Sequence, residues 1–556
     1  MLHIHPQYLK LADLLKGRLF RIPEYQRAYS WQTRQRSDLF EDIRKIAKKK
    51  DEVHFMATVV GLRRDKTVSI GTDEYHSVEI VDGQQRLTTL ILLLKAIELK
   101  ADDSKAAEKP IREELRNLLV KSDDASLILL QTNHDLSHYF ADFLRLGSRP
   151  PYTKATTLAD RSLLEGMAEC QDFVDEWVKT QPLADLVKLL KNRLTFIFHE
   201  MADERIVYAV FETLNSRGLD VTWLDRLKSI LMGIVFEGNE GNRSELIDEV
   251  HDLWGGIYRC IGLHQGLSAE ALRFAATLCL ATKPNRTLGE ADSVETLRFQ
   301  CGTGREVIET TKWVKKVVEA VEALSSDRRK NAVCKIAHAR LLATAIHLRD
   351  DLDDEAKDRI LRRWESVTFR IFGMIRYDSR TAVGDYVRLA WRVVREQADA
   401  ESLVAAVDTL GERFPIADSV KHLAATDCYN GWQEELRYLL FRYEEHLAQE
   451  DGHKSTNTQW NRIWQAAPAQ SIEHIMPQST GGEETVHRLG NLVLLPPGLN
   501  SQLGATAPKD KATAYEKKCR GMLIVQDVVP RLPHWGKREI GAREKKILEW
   551  AQKEWA

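Results

Sequence analysis

The spacing of apolar residues changes several times along the chain, and each change predicts an element. RLFRIPEYQRAYSW (residues 18–31) is rich in aromatics and contains Pro23, which reads as strand and loop. SDLFEDIRKIAKK follows with helical spacing, and Ser37 is placed to cap it. HFMATVVGL and YHSVEIV, rich in Val, Ile and aromatics, predict strands. VDGQQRLTTLILLLKAIELK predicts a strand that turns into a long helix. Helical patterning then runs from about 100 to 195, with loops near Ser122 and Pro150, before NRLTFIFHEM predicts another strand. ERIVYAVFETLNSRG reads as a helix closing at Gly218. From about 222 to 450 nearly every segment has helical period, as in WVKKVVEAVEAL and AVCKIAHARLLATAIHL, and no fixed-length repeat is evident. The polar stretch GHKSTNTQWNRIWQAAPAQ precedes a last region where short strand-like runs return. The expected fold is multidomain and mostly α. An α/β region covers 1–230 with a helical insertion at about 100–195, a helical middle covers 231–450, and a terminal domain covers 451–556.

Composition narrows the classes of function. With 556 residues, 43% hydrophobic and 29% charged, the chain can bury several cores. The net charge of -2 excludes a polycation, so nucleic acid must be met by local basic surfaces. Such surfaces are available at both ends: residues 1–50 carry 12 Lys/Arg against 5 Asp/Glu, and residues 505–556 carry 12 against 7. Solvated helix faces explain this clustering as well as phosphate contact does. The seven cysteines form no CxxC pair, which argues against a zinc ribbon or a disulfide framework. MLHIHPQYLKLADLL lacks the pattern of a signal peptide. The longest apolar run, Leu87–Leu94, is too short to span a bilayer. The expected setting is the cytoplasm, with no membrane partner. No Walker A motif is present, so an ordinary P-loop NTPase is excluded. Lone histidines of the middle region, such as His338 and His347, read as core or surface residues.

The terminal region carries the clearest chemistry, in SIEHIMPQS and RLGNLVLLPPGLNSQLG. Phosphodiester hydrolysis needs a base to take a proton from water and a divalent metal to neutralise developing charge. A hard metal such as Mg²⁺ prefers oxygen ligands. Glu473 and His474 are adjacent on an apparent strand, so their side chains diverge, one able to face metal and the other water. Asn491 lies just before strand-like LVLL, and Asn500 lies where a helix can start after Pro496-Pro497. A β-hairpin followed by a helix would bring the four together. These runs resemble the HNH nuclease domain of GmrSD-like type IV restriction enzymes, and also the HNH domains of CRISPR nucleases. The resemblance implies a ββα-metal fold. It implies His474 as general base, Glu473 and Asn500 as ligands of Mg²⁺ or Mn²⁺, and Asn491 as the residue that orients the base. Many HNH domains have Asp or His at the position of Glu473, and His at that of Asn500; both replacements here keep an oxygen ligand. Lys509 and Lys511 are placed to reach phosphate. The competing reading is a degenerate domain that binds DNA without cutting it.

The second informative run is VEIVDGQQRLTTL. Gly83 allows a tight turn, and the helix that follows offers free N–H groups and a partial positive charge suited to phosphate. Arg86 in its first turn opposes the helix dipole unless an anion is bound, and Asp82 could hold a metal ion. A plain strand–turn–helix with a surface arginine paired to a carboxylate reads equally well from this run alone. With RIPEYQRAYSW upstream and FETLNSRGLDVTWLDRLKS downstream, it resembles the N-terminal ParB/sulfiredoxin-like domain of the same restriction family, across residues 8–230. That resemblance implies binding and hydrolysis of GTP or ATP by Asp82, Gly83, Gln84, Gln85 and Arg86, with Tyr25, Gln26, Arg27 and Asn215, Arg217, Gly218 as the flanking motifs. Ala28 stands where the family often has proline. Tyr25, Tyr29 and Trp31 could stack on a base or pack in the core.

Taken together, the two resemblances imply a nucleotide-regulated, metal-dependent endonuclease. Its expected partners are modified phage DNA (altered bases or a phosphorothioate backbone) and a nucleoside triphosphate, and a homo-oligomer is compatible with both resemblances. The remaining alternatives are a ParB-like DNA or nucleotide binder with a vestigial nuclease, and an unregulated nicking nuclease or toxin.

Overall fold

The computed structural model describes residues 6–23, 26, 28–49, 52–70, 72–121, 128–132, 138–201, 222–238, 243–264, 266–452 and 458–556. Its contacts divide the chain into two units, residues 1–272 with 290–318 and residues 273–289 with 319–556. The boundaries read from the sequence near 230 and 450 do not coincide with this division.

In the first unit six strands form one mixed sheet: β1 (Pro6–Lys10), β2 (Arg18–Ile22), β3 (His54–Ile70), β4 (Asp73–Asp82), β5 (Leu130–Thr132) and β6 (Leu194–Met201). Their order is β1-β6-β3-β4-β2-β5. β3 and β4 are antiparallel, β2 runs parallel to both β4 and β5, and β6 runs parallel to β3 and antiparallel to β1. Alternation along the strands gives the sheet two apolar faces. Val59 and Ile80 join the main core with Phe20, Val78 and Phe198, while their neighbours Val60 and Val81 cluster with Leu62 and Met201.

The helices of this region are α1 (Leu11–Leu15), α2 (Thr33–Lys48), α3 (Gln84–Lys100), α4 (Lys109–Leu119), α5 (Tyr139–Leu146), α6 (Leu158–Trp177) and α7 (Leu183–Arg193). A helix apolar around its whole circumference must be covered on all sides. α3 is such a helix, buried from Leu87 to Glu98, and it packs against α4 and α6. α2 begins four residues earlier than its expected cap: Gln32 is the N-cap, its backbone N–H donates to Gln35 Oε1 at 3.0 Å, and Ser37 lies inside the helix. The helix expected to close at Gly218 lies outside the described residues.

In the second unit helices dominate, among them Ala337–His347, Val383–Arg395 and α8 (Gln433–Glu450). Two short strands, β7 (Ile472–His474) and β8 (Leu492–Leu494), pair antiparallel with Glu473 opposite Val493 and His474 opposite Leu492. They are followed by α9 (Pro497–Leu503), α10 (Pro508–Lys518) and α11 (Lys537–Glu554). This terminal segment shares its core and its hydrogen bonds with the helices before it, which is why no unit boundary falls at 450. The Glu444 carboxylate on α8 accepts from the backbone N–H groups of Leu523 at 2.9 Å and Ile524 at 2.6 Å. Cys428 N–H donates to His487 O at 3.0 Å. From the other side, Arg543 on α11 is fully buried and donates to the carbonyls of Gly490 at 2.9 Å and Leu492 at 2.8 Å. Gly490 lies so close to α11 that a Cβ there would sit 2.0 Å from Ile540 O.

Candidate active site and phosphate-binding turn

β7 ends at His474, and the strand places Glu473 and His474 on opposite sides. Both are buried, at 4% and 7% exposure. On one side, the His474 ring lies between Gln478 and His487. Gln478 Nε2 is 3.1 Å from Nδ1, and Nε2 is 3.1 Å from His487 Nδ1. With the Gln478 amide donating to Nδ1, the ring hydrogen sits on Nε2 and is donated to His487. Tyr429 packs edge-on against His474 at 4.6 Å between ring centroids and stacks on His487 at 5.3 Å. Burial, followed by the neighbouring His487 and Lys511, pushes the His474 imidazole down to about 4. It is therefore neutral near pH 7, the state a proton acceptor needs.

On the other side, Lys511 Nζ lies 2.5 Å from Glu473 Oε1 and also donates to the carbonyls of His474 at 2.8 Å and Ile475 at 3.1 Å. Tyr515 Oη adds a 3.4 Å contact to the same carboxylate oxygen. Burial pushes Glu473 up and Lys511 down, while their contact favours the charged pair. Lys511, expected at phosphate, is instead fully enclosed and spends its three donors inside the protein. Lys509, its neighbour but one, is exposed.

Asn491 is fully buried immediately before β8. Its Oδ1 accepts from Met476 N at 2.8 Å and Trp535 Nε1 at 3.1 Å, and its Nδ2 donates to Met476 O at 3.0 Å and Val486 O at 2.9 Å. It thus fixes the turn that follows His474 and does not touch the ring itself. Asn500 on α9 donates from Nδ2 to Gln470 O at 3.0 Å and Ile472 O at 3.2 Å, tying α9 to the start of β7. Those two carbonyls fix the polarity of the amide and turn its oxygen away from them.

The donor set can be compared with the expected metal. Among the described residues, no group of three or more His, Cys, Asp or Glu side chains could hold an ion. Mg²⁺ does not require one: it commonly takes one or two protein oxygens and completes its shell with water and substrate phosphate. Glu473 and Asn500 supply oxygens of that kind, although Glu473 already has Lys511 on one oxygen. Sequence reasoning missed His487, Tyr429 and the locking role of Lys511. Gln478 lies within SIEHIMPQS, where no role was evident for it, and His487 precedes Asn491 by four residues.

In the first unit, the run Asp82–Arg86 joins β4 to α3. Gly83 adopts φ +89°, and a Cβ there would meet Val59 Cγ2 at 3.0 Å and Thr58 O at 3.1 Å, so both conformation and space require glycine. Gly83 N–H donates to Asp82 Oδ1 at 2.8 Å. The glutamines hold the preceding loop. Gln85 accepts from Ser30 N at 2.9 Å and donates to Ala28 O at 3.1 Å. Gln84 donates to Gln26 Oε1 at 3.1 Å, and Gln26 donates to Val81 O at 2.7 Å. Arg86 is half-buried in the first turn of α3. The expected site residues Tyr25, Arg27, Asn215, Arg217 and Gly218 lie outside the described residues.

No helix among the described residues is long and apolar enough to cross a membrane. No curated protein matches the chain. Two family profiles do: that of the GmrSD restriction endonuclease N-terminal domain over residues 11–232, and that of the GmrSD restriction endonuclease C-terminal domain over residues 418–550. The first covers the sheet except β1, and the turn at Gly83; the second covers the hairpin with His474; together they span well over half of the chain. A nuclease that hydrolyses DNA is what joins these two domains in one polypeptide, and the chain belongs to the GmrSD-like type IV restriction enzymes.

Proposed function

We propose that the chain is an HNH-type, metal-dependent endonuclease that cuts modified foreign DNA under the control of a nucleotide. Its terminal segment is read as a ββα-metal nuclease and its first unit as a ParB/sulfiredoxin-like domain. The observation that carries this reading is the buried, neutral His474 at the end of a two-stranded hairpin, with Asn491 fixing the turn behind it. His474 takes the proton of the attacking water at Nδ1, which becomes available when the Gln478 amide gives way. Its Nε2–H stays on His487, so the ring keeps one orientation while it accepts the proton. Glu473 and Asn500 would hold Mg²⁺ or Mn²⁺, which would neutralise charge on the scissile phosphate and the leaving oxygen. Lys509 faces solvent and is available to the DNA backbone. In the first unit, the free N–H groups at the start of α3, together with Arg86, receive the phosphates of GTP or ATP, whose hydrolysis involves Asp82.

The test is cleavage of modified and unmodified phage DNA by the purified chain, with Mg²⁺ or Mn²⁺ and with or without each nucleotide. His474→Ala should lower cleavage by about 10²–10⁴-fold, the usual contribution of a general base. Equal cutting by the variant would overturn the assignment. The Lys511–Glu473 pair favours one second reading, a DNA-binding protein whose nuclease is vestigial. DNA binding without cleavage under either metal would select it.

A further inference from the structure

The loop between the helix Ile416–Ala425 and α8 belongs to the helical region, yet two of its consecutive residues reach the hairpin. Both grip His487. Cys428 N–H donates to His487 O at 3.0 Å, and the Tyr429 ring stacks on the His487 imidazole at 5.3 Å with the planes 6° apart. The same tyrosine stands edge-on to His474, at 4.6 Å and 70°. His474 and His487 are themselves 5.1 Å apart at 75°, so the three rings form one cluster.

This arrangement bears on what His487 does for His474. His487 Nδ1 lies 3.1 Å from His474 Nε2 and can accept its hydrogen only while the His487 ring faces that way. A partly exposed imidazole has several side-chain rotamers open to it. A flat ring stacked on its face restricts the plane in which it can lie. The tyrosine is in turn fixed through its backbone. Asp427 Oδ1 accepts from Tyr429 N–H at 2.7 Å and from Asn430 N–H at 2.9 Å, which closes a tight turn. Arg376 donates from Nη2 to Asp427 O at 2.7 Å and lies over the Trp432 ring at 5.2 Å. Trp432 is buried and donates from Nε1 to Gly373 O at 2.6 Å.

We propose that Tyr429 is a positioning residue of the nuclease. It keeps the His487 ring in the plane that accepts the Nε2 hydrogen of His474, and so keeps His474 Nδ1 aimed at the attacking water. In this role it touches none of the reacting atoms. The inference rests on the reading of His474 as the base and goes beyond it: a loop of the helical region, outside the hairpin, sets the alignment of that base.

The experiment is single-turnover cleavage by the full chain, on the phage DNAs and with the metals and nucleotides named above. It reads the maximal rate and the protein concentration that gives half of it; a gel shift in EDTA reads DNA affinity separately. Tyr429→Leu removes the flat ring and should lower the maximal rate by about 10–100-fold, as a small misplacement of a reacting group does. Half-saturation and gel-shift affinity should stay within about threefold of wild type, because only the aligned step is affected. Tyr429→Phe keeps the ring and should bring the rate back to within about threefold of wild type. Equal losses in the leucine and phenylalanine variants would overturn the proposal, since the stacked ring would not be what matters. A leucine variant that cuts like wild type, while His474→Ala does not, would overturn the positioning role and leave the base standing. Weaker DNA binding at an unchanged maximal rate would place Tyr429 at the DNA, against the proposal. Equal cutting by His474→Ala, or no cutting by the wild-type chain, would remove the base assignment and the role of Tyr429 with it. If Tyr429→Leu does not fold, Asp427→Ala carries the test, because it loosens the turn and keeps the ring. A rate loss of about threefold or more at unchanged affinity would then support the proposal, and a wild-type rate would overturn it.

Discussion

At the scale of single residues, the hairpin puts one group out of its usual ionisation. The His474 imidazole is held down to about 4 by burial, against an ordinary value near 6.5. Between those two values the unfolded chain binds the proton and the folded chain does not, so stability falls as pH drops from about 6.5 to about 4. His474 accounts for about 3 kcal/mol of that loss. Thermal melting at pH 7 and pH 4.5 should therefore show a smaller acid shift for His474→Asn than for the wild-type chain; equal shifts would show that the ring is not buried as a neutral group. Lys511 makes a different prediction. Lys511→Met leaves the Glu473 carboxylate buried without its cation, and removing one partner of such a pair costs about 3–5 kcal/mol. The double variant Glu473→Gln, Lys511→Met should recover most of that cost in the same melting experiment, and no recovery would mean that the pair is not what matters. The positions of His474, at the end of β7, and Asn491, just before β8, were readable from the strand-like runs beside them. The Glu473–Lys511 pair was not readable, because that contact exists only once α10 has folded back on β7. A lysine near a helix start reads as a surface residue until its burial is known.

At the scale of elements, glycines decide where the chain passes. Gly83→Ala meets both a positive φ and contact with Val59 and Thr58, and should cost about 1–3 kcal/mol in thermal melting and weaken the proposed nucleotide binding in calorimetry. Gly490→Ala would drive a methyl group into the backbone of α11 at Ile540, so the hairpin or the helix must move. Cleavage should drop in this variant even though no group proposed to touch DNA has changed; full activity would show that the hairpin tolerates the displacement. α3 was readable from its long apolar run, and β3 from its first half, HFMATVVGL. β1 was not: its five residues are mostly exposed and carry no apolar alternation, so nothing in the pattern marks them as a strand. β5, three residues long, escaped for the same reason of length. The start of α2 was misplaced because a glutamine pair, Gln32 and Gln35, caps it upstream of the expected Ser37.

At the scale of the whole molecule, sheet order and unit boundaries lay beyond the sequence pattern. β6 pairs with β1 and β3 across more than a hundred intervening residues, and periodicity carries no record of such pairings. The change from helical middle to terminal hairpin looked like a domain boundary because the composition turns polar there. The hydrogen bonds of Glu444 and Cys428 cross it. A fragment of residues 451–556 lacks both groups and should show no cooperative melting transition, whereas 319–556 retains them; a sharp transition in the shorter piece would contradict this.

The grip of α11 on the hairpin also bears on the order in which the protein is made. Arg543 holds the carbonyls around Asn491, and Ile540 abuts Gly490, yet both belong to the helix that begins at Lys537. Translation delivers His474 and Asn491 well before that helix exists. A chain cut short before residue 537 would carry every residue proposed to cut DNA without the support that sets them in place. Competence to cleave would then arrive only once α11 has been made and has docked on the hairpin.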